Sequence, residues 1–137
     1  MTEQGLTSHS LDSAIAKNYA FILLGGIMGV FIIVAHFIAR KRSTQTQGPE
    51  QSHYIFQYRT TLIALLMGMV AVLYFFVTMI WLPSRSPPHE TVWSVRMFGN
   101  LYWLVLIWVA TRSIRGLYLS AAGLAIHNPK TLWIWVR

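Results

Sequence analysis

Three stretches of this chain carry no Asp, Glu, Lys or Arg over lengths that suit membrane helices. The first runs from Tyr19 to Ala39 and the second from Thr60 to Leu82. About 20 apolar residues are needed to cross the hydrocarbon of a bilayer, and both runs satisfy that. The third, Met97 to Thr111, lies between Arg96 and Arg112. At 1.5 Å per residue it covers only about 22 Å. Val92, Trp93 and Val95 lengthen it upstream, and both arginines can extend their guanidinium groups to the interfaces.

The composition agrees. The chain is 55% hydrophobic and 11% charged, where a soluble domain carries roughly 25% charged residues. The expected fold is an all-α membrane protein. It has three transmembrane helices, at about 19–39, 60–82 and 93–111, and a cytoplasmic interfacial extension of the third. One helical membrane domain, 13–123, lies between an N-terminal tail (1–12) and an interfacial C-terminal tail (124–137).

Punctuation separates the runs. Arg40-Lys41-Arg42 ends the first, and Gly48-Pro49 precedes the second. Pro83 stops the second. Ser86 before Pro87-Pro88 reads as a helix start, and Asp12-Ser13 as a cap before the first span. Gly123 and Pro129 end the helix that continues past Arg112. The first residues have no basic start before an apolar core, so they do not read as a cleavable signal peptide.

The net charge of +7 arises because acids are rare: Glu3, Asp12, Glu50 and Glu90. The cations lie at the edges of apolar runs, where lipid headgroups would meet them. No basic patch is interleaved with exposed aromatics, so no nucleic-acid partner is expected. The first loop and the C-terminal segment hold most of the Lys and Arg. With three spans, this predicts a periplasmic N-terminus and a cytoplasmic C-terminus in a bacterial inner membrane. Cysteine is absent, which excludes disulfides and thiolate chemistry.

Helical periodicity selects candidate contact faces. At roughly 100° per residue, His53, Gln57, Thr60, Ala64 and Ala71 share one line, with Gly68 beside them. On the first span, Gly25 and Gly29 form a G-x-x-x-G with His36 on the same side. Small residues allow membrane helices to approach closely, so these two faces are expected to pack together. His36 would then hydrogen-bond Thr60 or Gln57, or the carbonyls of its own helix. A haem ligand role for His36 with His53 is the sharper and weaker alternative. No cofactor or metal is expected. Asn100 and Thr111 read as interhelical glue. Arg59, Arg112 and Arg115 are expected to bind anionic headgroups or a partner's acids.

The order of these motifs resembles a known family. Ser52, His53, Gln57, Arg59 and Thr60 open the second span, and Trp108, Arg112, Arg115 and Gly116 close the third. The Gly123–Pro129 turn follows. This pattern is similar to a family of small bacterial inner-membrane proteins that carry a domain of unknown function. It is more remotely similar to the chloroplast inner-envelope translocon channel component. The resemblance implies a three- or four-helix bundle and no assigned reaction. The functional expectation is a non-enzymatic accessory or scaffold subunit of a larger membrane complex, with a larger integral partner or self-association. An anionic-lipid-binding or translocation-associated protein is the alternative, and a haem-binding electron-transfer subunit ranks below it.

Overall fold

Four helices account for most of the chain in a computed structural model. It describes residues 3–81 and 88–133, with side chains from 13 to 80 and from 92 to 133. The order is α1 (Glu3–Gly25), α2 (Gly29–Gln45), α3 (Pro49–Phe76), a π-helical turn (Val77–Trp81) and α4 (Pro88–Ala121). No strand occurs among the described residues.

The Tyr19–Ala39 run is not one helix. It breaks between Gly25 and Gly29, and the chain turns back on itself. Asn18 donates to the Ala35 carbonyl at 3.4 Å, and the rings of Phe21 and Phe31 stack at 5.9 Å. Both pairs straddle the break, so α1 and α2 form an antiparallel hairpin. The reason lies in Gly25. A Cβ there would stand 2.7 Å from both Ile32 Cβ and the Ile32 backbone nitrogen. Only a glycine lets α2 fold down so close to the end of α1. The G-x-x-x-G therefore makes a tight corner. At Gly29 nothing lies within 4 Å of the place a Cβ would take.

The cap expected at Asp12-Ser13 is likewise replaced, because α1 runs unbroken through both residues from Glu3. The stop at Pro83 and the cap at Ser86 lie outside the described residues. Pro88 does open α4, at a position where its missing N–H has no helical partner to lose.

Two helical segments, Pro49–Ile80 and Val92–Ala121, are long and apolar enough to cross a membrane. Only 11% and 6% of their most apolar windows are buried inside the protein. A core helix of a soluble protein would show the opposite, since large exposed apolar surfaces are not left to water. Neither is N-terminal. The chain thus carries two helices suited to membrane insertion, where three spans were expected.

The hairpin packs beside one half of the α3–α4 pair. Its tip meets α4 where the Tyr102 hydroxyl donates to the Gly26 carbonyl at 2.8 Å. Tyr102 lies ten residues before Arg112, or about 15 Å along the helix. Beyond the tip α3 and α4 continue as a pair, with Phe98 stacked on Tyr74 at 6.1 Å. The start of α3, the end of α2 and the end of α4 all gather at the opposite, hairpin-base end.

The corner supplies a test. Gly25→Ala should destabilise the folded protein by about 1–3 kcal/mol, the usual cost of overpacking. Gly29→Ala should be neutral or slightly stabilising, since alanine favours helix over glycine. Thermal unfolding in mild detergent measures both. Equal losses would restore the two glycines to one packing face.

Candidate functional site: a polar clasp at the hairpin base

The hairpin base holds an unusual density of buried polar side chains. Asn18, His36, His53, Gln57, Thr60, Thr61, Arg112, Ser113 and Ser120 are all buried. Apolar neighbours fill between them, chiefly Ile15, Tyr19, Ile22, Ala35, Tyr54 and Phe56. Buried polar groups persist only where they are hydrogen-bonded, and most of these are.

Asn18 and Gln57 tie three helices. The Asn18 amide donates to Gln57 Oε1 at 2.7 Å, and Gln57 Nε2 donates to the Ile15 carbonyl at 3.2 Å. With the Asn18–Ala35 bond, α1, α2 and α3 are joined at one depth. His36 meets Thr61, at 3.0 Å from Nδ1 to Oγ1. The Thr61 hydroxyl already points at the Gln57 carbonyl, 2.9 Å away, so His36 Nδ1 is the donor. The expected partner of His36 was Thr60 or Gln57. It bonds one residue further round α3, because α2 approaches from that side.

His53 bridges α1 to the C-terminal segment. Its Nε2 lies 3.0 Å from the Leu124 carbonyl, and its Nδ1 lies 3.3 Å from the Tyr19 hydroxyl. A carbonyl only accepts, so Nε2 carries a proton. In the neutral ring Nδ1 then accepts from Tyr19. Tyr19 fits because of Gly116, where a Cβ would overlap the tyrosine hydroxyl. The glycine of the W-x-x-x-R-x-x-R-G motif thus serves close approach.

Arg112 is the centre of the clasp. It is 0% exposed. Nε donates to Thr60 Oγ1 at 2.8 Å. Nη1 donates to the Trp133 carbonyl at 2.8 Å, and Nη2 to the Thr131 carbonyl at 2.6 Å. Thr60 passes the chain on by donating to the Phe56 carbonyl at 2.8 Å. The guanidinium carbon also sits 3.9 Å from the centre of the Phe56 ring and 5.3 Å from that of Trp108, where cation–π attraction adds to the bonds.

The remaining motif residues bind the same segment. The Ser52 hydroxyl accepts from the Ile126 backbone N–H at 2.9 Å, and Arg59 Nη1 donates to the Lys130 carbonyl at 3.2 Å. Residues 124–133 are therefore strapped across the ends of α3 and α4 through their backbone. The strap begins at a defined stop. Gly123 has φ +66°, Leu124 N–H donates to the Leu119 carbonyl and Gly123 N–H to the Ser120 carbonyl. This is a Schellman ending, which only the left-handed glycine makes easy.

The candidate residues therefore divide. His53, Gln57, Thr60, Ala64 and Arg112 converge, with His36 one bond away through Thr61. Gly25 closes the hairpin corner. Gly29 and Gly68 are exposed, and Ala71 is half-buried. Arg59 stays near the surface, and Arg115 is half-buried with its guanidinium 5.9 Å from the Tyr118 ring. Both His53 nitrogens are engaged, which leaves none to coordinate a haem iron without breaking the clasp. No group of three or more metal-binding side chains occurs among the described residues. A depression of about 190 Å³ opens beside His53, between Ile15, Glu50 and Leu124. Small-molecule pockets usually exceed about 300 Å³, so it suits water or a small ion better than an organic substrate.

Sequence reasoning misses Asn18, Tyr19 and Thr61. Asn18-Tyr19 stands where the apolar run begins, and a polar pair at that depth is the available signal. The strap carries none, because its role is played by carbonyl and N–H groups that do not depend on residue type.

Comparison with protein-family models, with curated proteins and with solved structures finds no match to this chain.

Arg112→Ala should free the strap. It removes three hydrogen bonds, and each acceptor left buried without a partner costs about 1–3 kcal/mol. Hydrogen exchange or limited proteolysis should show residues 124–133 exposed while α3 remains protected. Arg112→Lys should recover only part of the protection, since an ammonium lacks the planar fork that reaches three acceptors.

Proposed function

We propose that the protein is a non-enzymatic scaffold or accessory subunit of a bacterial inner-membrane complex. The observation that carries this reading is where the motif side chains direct their hydrogen bonds. Ser52, His53, Arg59 and Arg112 bind backbone groups of the strap. Gln57 binds α1. The residues best equipped for chemistry are thus engaged in holding the fold, while the apolar faces of α3 and α4 are left open. Val70, Leu73, Phe76 and Ile80 on the α3 segment, and Leu101, Trp103 and Leu104 on α4, are exposed. Such faces meet lipid or another membrane protein. The family resemblance, with no assigned reaction, is in keeping.

The hairpin changes the orientation to propose. With α1 and α2 entering and leaving at one end, Lys17, Arg40, Lys41, Arg42, Arg59, Arg112, Arg115 and Lys130 belong to that end, and Arg96 to the other. The positive-inside bias then puts both the start of α1 and the strap on the cytoplasmic side. On this reading α3 from Thr60 to Ile80 and α4 from Val92 to Arg112 each cover about 30 Å, one hydrocarbon thickness. The hairpin becomes a re-entrant element reaching about midway.

Binding of anionic lipid is the second reading, and one observation favours it. Arg40, Lys41 and Arg42 are all exposed at the end of α2. Arg112 cannot contribute, being enclosed and satisfied, so the headgroup contacts pass to these three residues and to Arg59.

Two experiments bear on these readings. The chain lacks cysteine, so single substitutions can be labelled cleanly. Lys17→Cys and Gln45→Cys should react with an impermeant maleimide only from the cytoplasmic side, and Ile27→Cys from neither. Reaction of Lys17→Cys from the periplasm would restore three spans. A gentle pull-down from native membranes, read by mass spectrometry, should retain a stoichiometric integral-membrane protein. Recovery of the protein with anionic lipid alone, lost on replacing Arg40, Lys41 and Arg42, would transfer the assignment to lipid binding.

A further inference from the structure

One exposed polar side chain stands where lipid would surround it. Asn100 lies on α4 twelve residues before Arg112, about 18 Å into a hydrocarbon layer of about 30 Å. It is exposed and makes no hydrogen bond among the described residues. An amide left bare in hydrocarbon is expensive, because lipid tails offer no donor or acceptor.

Its neighbours form a continuous seam. At about 100° per residue, Arg96, Asn100, Trp103, Ile107, Ile114 and Tyr118 fall within about 40° of one line along α4. Trp103, Ile107, Ile114 and Tyr118 are 58–64% exposed, and Arg96 is exposed as well. Spacings of three, four and seven residues are those of a helix–helix seam. The line lies opposite Val109, Arg112 and Gly116, which face the bundle and are buried. A helix could therefore dock here without touching the clasp.

We propose that this face of α4 joins a second copy of the same chain in a parallel, two-fold dimer centred on Asn100. The argument for a second copy is complementarity. A side-chain amide is both donor and acceptor, so it is satisfied by its own equivalent across a two-fold axis. Copies in one membrane share an orientation, so their α4 helices run parallel and the two Asn100 residues arrive at the same depth. A two-fold interface pairs each seam residue with itself or a near neighbour. Arg96 is compatible with this placement. It lies four residues nearer the far boundary than Asn100, and about 6 Å from the level of Val92. An extended arginine reaches headgroups from there.

The inference deepens the scaffold reading by naming a partner, and it rests on that reading for the membrane placement. The test uses the full chain in proteoliposomes. Trp103→Cys and Ile107→Cys should each form disulfide-linked dimers on mild oxidation, whereas Met69→Cys, exposed on α3, should not. Energy transfer between labelled copies diluted into lipid gives the dimer affinity. Asn100→Val should weaken it by roughly five- to thirtyfold, the range for one interhelical amide contact. Asn100→Gln should retain most of it. Unchanged affinity in Asn100→Val would overturn the proposal, as would a monomer at every dilution. Crosslinking to a different protein in native membranes, with none between copies in liposomes, would overturn it while leaving the scaffold reading in place. Hydrogen-exchange protection of the strap, unchanged in Asn100→Val, shows that the variant folds.

Discussion

Arg112 brings a full positive charge into a place closed to solvent, and the partners it finds there are neutral. A hydroxyl, two backbone carbonyls and two aromatic rings surround the guanidinium. Burying a cation is costly unless its hydrogen bonds are all met. Arginine suits the position because its planar head can reach acceptors in three directions at once. The dependence runs outward from there. The strap supplies two of the acceptors, and Thr60 supplies the third. The strap's course is set by the glycine stop at Gly123, and further contacts from Ser52, His53 and Arg59 hold it. Remove the strap and the charge is stranded; remove the charge and the strap loses its central anchor.

The same logic explains why the hairpin and the clasp occur together. Residues 18–25 and 29–36 lie against α3 and α4 over one half of the bundle, the half where the buried polar side chains are densest. Asn18 and Gln57 join α1 to α3, and His36 and Thr61 join α2 to α3. Toward the hairpin tip the polar contacts thin to the Tyr102–Gly26 bond, and Gly26 lies against Leu106. Polar bonds between helices are the main source of specificity where apolar surfaces all resemble one another. The hairpin is thus located by its base.

Much of the base is legible in the residues. The shared face of His53, Gln57, Thr60 and Ala64 follows from helical period, and all four are buried. The end of α4 near Gly123 follows from glycine chemistry. The hairpin is not legible, because the Tyr19–Ala39 run satisfies the length and polarity of a span as well as a genuine span would. Its two glycines fit a packing motif and a corner equally. The distinction rests on Ile32, whose backbone must come within van der Waals distance of Gly25, and such a tertiary approach leaves no local mark. The strap escapes for a related reason: hydrogen bonds to carbonyls do not depend on which residue bears them.

The short reach of the hairpin has a consequence for how the molecule occupies space. Four helical cross-sections and a strap crowd one half of the body, while only two helices continue through the other half. A body of that form, set in a bilayer, displaces more area in one leaflet than in its opposite. Lateral pressure in the two leaflets would then differ around it. The bent first segment gives the protein a taper, and in a bilayer that taper would tie its own packing to the curvature of the sheet around it.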